Sequence, residues 1–162
     1  MAVVSGLAAA ARSGILIKGG AYLEEGHKMR SLALDKTGTI TCGMPTVIEV
    51  VRLDDDDEDS FRVAASLAER SNHPMSAAIS RYWRNTGSNI PLHEVGDFEA
   101  LAGRGISGII EGKRYYLGNH RLQEELGICT PAMEQILNRI EADGKSAVVI
   151  SSEHAALAVI GV

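Results

Sequence analysis

Apolar residues along this chain fall into two kinds of pattern, short continuous runs and runs at helical spacing. Ile15-Leu16-Ile17 reads as a short buried strand, ended by Gly19-Gly20. A brief helix is expected from about Ala21, stopped at Gly26. Ser31-Leu32-Ala33-Leu34 is a second strand-like run, and it delivers Asp35 at its carboxyl end. After Gly43 and Pro45, the stretch from Val47 to Val51 is rich in β-branched residues and leads into the acidic run from Asp54 to Asp59.

Helical spacing then takes over. From about Glu58 to Arg70 the residues Phe61, Ala64, Ala65 and Ala68 share one face, and after Pro74 the residues Met75, Ile79, Tyr82 and Trp83 share another. Strand-like runs follow at Leu92 to Leu101, Ile106 to Glu111 and Arg114 to Leu117, joined by glycine-containing turns. Met133, Ile136, Leu137 and Ile140 mark one more helix, and Ser146 to Ser151 with Ala155 to Val162 form a final hairpin. The expected fold class is therefore α/β: a parallel part carrying Asp35, interrupted by an α+β insertion of antiparallel strands with helices on one side.

Composition narrows the function classes. The 162 residues amount to one or two domains, with 45% hydrophobic content to build a core. A formal net charge of −5 argues against a nucleic-acid surface. Cys42 and Cys129 stand far apart and belong to no CxxC pair, so reduced thiols are expected rather than a zinc site. No run approaches the roughly 20 apolar residues that span a bilayer, and Met1 to Ala11 lacks the basic start of a signal peptide. Consecutive like charges from Asp54 to Asp59 repel one another and lack ligand spacing; a solvated loop leading into a helix is the better reading than a cation site.

The chemistry concentrates in Asp35-Lys36-Thr37-Gly38-Thr39. A carboxylate at the carboxyl edge of a strand stands where open α/β folds bind ligands. It is ionised at neutral pH and can attack phosphorus to give an acyl phosphate without help from a base. Lys36 offsets the negative charge, Thr37 and Thr39 supply hydroxyl and amide donors, and Gly38 allows close backbone approach. A divalent cation is implied to bring two anions together, with Asp35 and Thr37 as candidate ligands and Mg²⁺ as the natural choice for oxygen donors. The bland alternative is a strand followed by an ordinary polar turn.

The pentapeptide DKTGT, followed by Ile40-Thr41, resembles the phosphorylation motif of P-type ATPases, in which the aspartate takes the γ-phosphoryl group of ATP. Related phosphatases of the haloacid-dehalogenase-like superfamily usually carry an acid/base aspartate two positions on. Here that position is Thr37, whose hydroxyl transfers protons poorly, so the resemblance implies a long-lived aspartyl phosphate. The run AVVSGLAAAARSGILIKGGAYLE resembles the segment leading from the metal-binding membrane helix into the phosphorylation domain of heavy-metal P-type ATPases, and its wording leans toward the zinc/cadmium/lead branch over the copper branch.

Three further elements, Ser71-Asn72-His73-Pro74, Gly103-Arg104-Gly105-Ile106-Ser107-Gly108 and Tyr116-Leu117-Gly118-Asn119, resemble the nucleotide-binding domain of the same family in order and approximate spacing. Read alone, a His-Pro pair is a helix start, and the GxGxxG string precedes a strand rather than a dinucleotide-fold helix. The resemblance implies that His73 contacts adenine, that Gly103 and Gly105 let the backbone approach the nucleotide, and that Gly118 with Asn119 closes the pocket. Many family members place a glutamate five positions before the histidine; this chain has Ala68 there and Glu69 one position later, about 100° round the helix. Glu69 is therefore only a substitute candidate.

The resemblance divides the chain into a connector (1–13), the first part of a phosphorylation domain (14–45), a nucleotide-binding domain (46–157) and a return hinge (158–162). It implies part of a longer pump at the cytoplasmic face of a membrane, partnered by its actuator domain, its membrane helices and the second half of its phosphorylation domain. By itself this part is expected to be soluble, with little turnover. Two other functions stay open: a soluble haloacid-dehalogenase-like phosphatase, and a nucleotide-binding module without catalysis.

Overall fold

The computed structural model describes residues 2–35, 39–40, 43–53, 59–86 and 90–162, which divide into two compact units, Met1–Gly43 and Met44–Val162. In the first, α1 (Ala2–Arg12) packs against α2 (Gly20–Glu25), which a 3-10 turn (Gly26–Lys28) extends. Small residues permit the close approach, since a Cβ on Gly6 would lie 2.7 Å from Leu23 Cδ2 and one on Gly20 2.4 Å from Val3 Cγ1. Neither helix contains a buried residue.

Two expectations need correction here. Neither Ile15–Ile17 nor Ser31–Leu34 forms a strand, and Leu16, Leu32 and Leu34 are exposed. Strands of a parallel sheet find their neighbours through crossover connections of a dozen or more residues. Among the described residues of this unit no such neighbour exists, so the two apolar runs remain irregular.

The second unit is built on one sheet of six antiparallel strands in the order β1-β6-β5-β4-β3-β2, where β1 is Glu49–Arg52, β2 Gly96–Leu101, β3 Gly105–Ile110, β4 Lys113–Gly118, β5 Ala147–Ser152 and β6 Ala156–Gly161. β2, β3 and β4 form a meander, and β5 and β6 the expected hairpin. Alternation along β5 and β6 sorts side chains onto two faces. Ile150, Ala158 and Ile160 join the core under α3 (Ser60–Ala68) and α4 (Pro74–Asn85). Val149 and Val159 join Met133, Leu137 and Ile140 of α6 (Pro131–Ala142) in a second cluster.

Helices therefore cover both faces, not one as the sequence suggested. Because β5 and β6 are apolar on both sides, as centrally placed strands must be when both faces are covered, each recruits its own helix layer. α3 is buried nearly throughout, and Phe61 holds α4 through an edge contact with Tyr82 and a tilted one with Trp83, at centroid distances of 5.3 and 6.2 Å. Residues 158–161, read as a hinge, lie in β6 between β5 and β1. Asp59 stands immediately before α3 and meets Arg62 and His93; the acidic residues before it lie outside the described part.

One helix escaped the sequence pattern. α5 (His120–Leu126) is only seven residues long and buries just Leu122 and Gln123 against the sheet. Its boundaries are nevertheless written in the chain. Asn119 caps its start, and Gly127, at φ 69°, closes its end with Gly127 N–H donating to the Glu124 carbonyl and Ile128 N–H to the Gln123 carbonyl.

Candidate functional site

A cavity of about 500 Å³ opens where the amino end of α4 meets the β2–β3 turn, the end of β4 and the start of β5. Its floor is apolar, from Ile79, Leu101, Ile106, Leu117 and Val148. Such a volume and lining suit a flat heterocycle with a few polar anchors. His73, Gly103, Gly105, Gly118 and Asn119 all line it, so residues from three distant sequence segments meet at one place.

Each is held by local chemistry. His73 is the residue preceding α4, in extended backbone, and its Nδ1 accepts the Met75 N–H at 3.3 Å. That bond makes Nδ1 the acceptor and leaves Nε2 as the ring's free polar position on an exposed side chain. Pro74 supplies the first helical residue, where its missing N–H costs nothing. The helix-start reading and the ligand reading of His-Pro are thus compatible.

The glycines divide by role. Gly105 and Gly118 are paired across β3 and β4. A Cβ on Gly105 would fall 2.3 Å from the Leu117 carbonyl oxygen, and one on Gly118 would fall 2.5 Å from the Arg104 carbonyl oxygen. At this pair glycine is required by the meeting of two backbones, whatever binds beside them. Gly103, at φ 68° in the β2–β3 turn, has nothing within 4 Å of its Cβ position. Its side faces open space, and there the absent Cβ leaves room for something else.

Asn119 fastens these parts together. Its Nδ2 donates to the Gly103 carbonyl at 3.0 Å, its Oδ1 accepts the Leu122 N–H at 3.2 Å, and its backbone N–H donates to the Arg104 carbonyl at 2.9 Å. The side chain read as a pocket closure is thus also a brace between the β2–β3 turn and α5. Arg104, in that turn, completes the lining and is the one residue with a fixed charge among the described residues there. Its guanidinium donates to Glu125 on α5 at 2.8 Å, and that bond, aided by Arg121, holds the Glu125 carboxyl below the usual carboxylate range.

The structure does not bring Glu69 into this lining. Its carboxylate accepts two bonds from Arg84 Nη2, at 2.5 and 2.7 Å, while Ala68 is buried in the core. In the first unit, Asp35 and Thr39 are exposed, and Lys36 and Thr37 lie outside the described residues. The carboxylate of Asp35 and the hydroxyl of Thr39 are hard oxygen donors of the kind a small divalent cation takes. Among the described residues, no cluster of three or more His, Cys, Asp or Glu side chains could hold a metal, and no helix is long and apolar enough to cross a membrane.

The family model described as haloacid dehalogenase-like hydrolase matches residues 29–161. A cadmium-transporting ATPase of Staphylococcus aureus is 36% identical over 168 residues, covering 100% of this chain and 23% of that protein. A copper-exporting P-type ATPase of Staphylococcus saprophyticus is 38% identical over 149 residues, covering 92% of this chain and 18% of that protein. The chain thus spans about a quarter or less of the length of the curated relatives it matches. Among solved structures, a zinc-transporting PIB-type ATPase in its E2.Pi state superposes with a TM-score of 0.80 at 31% identity, over 98% of this chain and 25% of that one. The N-domain of a copper-transporting P-type ATPase shares the fold of 72% of this chain, with a TM-score of 0.59 at 23% identity. The chain belongs to the haloacid dehalogenase-like hydrolase family.

Proposed function

We propose that this chain is the ATP-binding and phosphoryl-accepting part of a heavy-metal-translocating P-type ATPase. The observation that carries the reading is the cavity itself, which gathers His73, Gly103, Gly105, Gly118 and Asn119 from separate segments of the chain in which DKTGT also occurs. In this reading residues 46–157 bind the nucleotide and residues 14–45 begin the phosphorylation domain. The purine lies on the apolar floor, and the free Nε2 of His73 bonds or stacks with it. The Asp35 carboxylate attacks the γ-phosphorus, an acyl phosphate forms, and the bond to the β–γ bridging oxygen breaks to release ADP. Lys36 and the Thr37 and Thr39 hydroxyls orient the transferred group. Asp35 and Thr37 would hold Mg²⁺, which supplies charge neutralisation between the two anions. Thr37, lacking an acid/base carboxylate, leaves the acyl phosphate long-lived, and the actuator domain, membrane helices and remaining phosphorylation domain of the same pump complete the cycle at the cytoplasmic face of a membrane.

The transported ion is proposed to be of the zinc/cadmium/lead class. Supporting this, the cadmium-transporting relative aligns over the whole chain, connector included, whereas the copper-exporting one aligns over 92%. In the complete pump, labelled ATP should yield an acid-stable phosphoenzyme that Asp35→Asn abolishes, while ATP binding to the 162-residue chain should survive that substitution. Robust Mg²⁺-dependent hydrolysis by the 162-residue chain alone, lost in Asp35→Asn, would overturn the reading in favour of a soluble phosphatase.

A further inference from the structure

We propose that Arg104 is a phosphate-binding residue of the nucleotide cavity, held in reserve by Glu125 until a nucleotide arrives; this rests on the nucleotide-binding reading above. Among the described residues lining the cavity, Arg104 alone carries a fixed charge, which makes it the cationic residue within reach of a triphosphate bound there. Its guanidinium is occupied at 2.8 Å by Glu125, with both side chains about 40% exposed. Pairs that exposed contribute little to stability, because water and salt screen them and two long side chains must be ordered.

Glu125 makes the exchange easier still. Its second carboxylate oxygen accepts from Arg121 Nε at 3.2 Å, one helical turn back on α5. When Arg104 leaves, Glu125 keeps a cationic partner and no charge is stranded. A planar guanidinium offers phosphate oxygens paired donors, and a triphosphate carries several negative charges against the single one of Glu125. The backbone of Arg104 stays fixed throughout, since its carbonyl accepts the Asn119 N–H and its N–H donates to the Leu101 carbonyl. Only the side chain needs to swing.

The test is calorimetric titration of the 162-residue chain with adenosine, AMP, ADP and ATP in magnesium-free buffer, for the parent and for Arg104→Gln, Arg104→Lys and Glu125→Gln. Charge-assisted bonds of this kind, partly screened, predict about a tenfold loss of ATP affinity in Arg104→Gln. The loss should shrink through ADP and AMP to less than about twofold for adenosine. Arg104→Lys should recover part of it, and Glu125→Gln, which releases the arginine, should tighten ATP about two- to threefold. Equal losses for adenosine and ATP would assign Arg104 a structural role and overturn the proposal. So would unchanged ATP affinity in Arg104→Gln while the parent binds ATP, and that result would leave the nucleotide-binding reading standing. Failure of the parent to bind any of the four would remove both.

Discussion

The two units respond differently to the same sequence signal. Ile15–Ile17 and Ser31–Leu34 are apolar runs much like Val148–Ile150 and Ala158–Ile160, yet the first pair is irregular and largely exposed while the second forms the centre of a sheet. Leu16 is 92% exposed and Ile150 0%. The difference lies in what each run can reach. Residues 147–152 turn back within four residues into 156–161, and two-strand pairing follows at once. The runs of the first unit are patterned for a parallel sheet, whose neighbours arrive only through crossovers. An apolar run thus specifies burial, while the topology around it decides whether burial is achieved.

Truncations at the core should break or confirm that contrast most sharply. Ile150→Ala or Leu137→Ala is expected to cost about 2–5 kcal/mol in urea unfolding, while Leu16→Ala or Leu32→Ala should stay within about 0.5 kcal/mol. Equal costs in the two units would show that the first is packed as well as the second. Next in size come the glycines. Gly105→Ala places a Cβ against the Leu117 carbonyl at 2.3 Å and should destabilise by more than about 3 kcal/mol, since both strain and a displaced strand are involved. Gly103→Ala, with open space around it, should cost only about 1 kcal/mol of left-handed backbone strain while weakening ATP binding in titration.

Asn119→Ala removes the α5 cap and the tie to the β2–β3 turn together, for about 1–2 kcal/mol by denaturant unfolding. The smallest effect concerns Cys129. Burial first, then the Glu124 and Glu134 carboxylates, raise its thiol above the ordinary range. Iodoacetamide should therefore label it more slowly at pH 8 than a free cysteine. The folded state keeps a proton that the unfolded state gives up, so this residue's contribution to stability is intact below the unfolded thiol's range and lost as pH rises toward the raised folded value.

Much of the candidate site was legible beforehand because its residues are punctuation. His73-Pro74, Gly103-Arg104-Gly105 and Gly118-Asn119 interrupt regular patterns, and each interruption marks where the chain turns at the cavity. Less legible was the reason for each residue. Gly105 and Gly118 looked like room for a nucleotide, and the structure shows that they are first of all room for each other's strands. Asn119 likewise serves as cap and brace, a double use visible only once α5 is in place. α5 itself was missed because two buried residues give too short a period to read, although Asn119 and Gly127 bound it correctly.

Sequence by itself determined the local grammar: that α4 starts at His73-Pro74 and that the last two strands make a hairpin, while for DKTGT it raised the expectation of phosphoryl chemistry. These depend on side chains and backbone preferences within a few positions of one another. The tertiary structure decided what depends on distant neighbours. It placed helices on both faces of the sheet, turned Glu69 toward Arg84, engaged Arg104 with Glu125, and left the strand-like runs of the first unit without a neighbouring strand among the described residues. Pairing and burial are relations between segments far apart in the chain, and no single segment encodes both sides of such a relation.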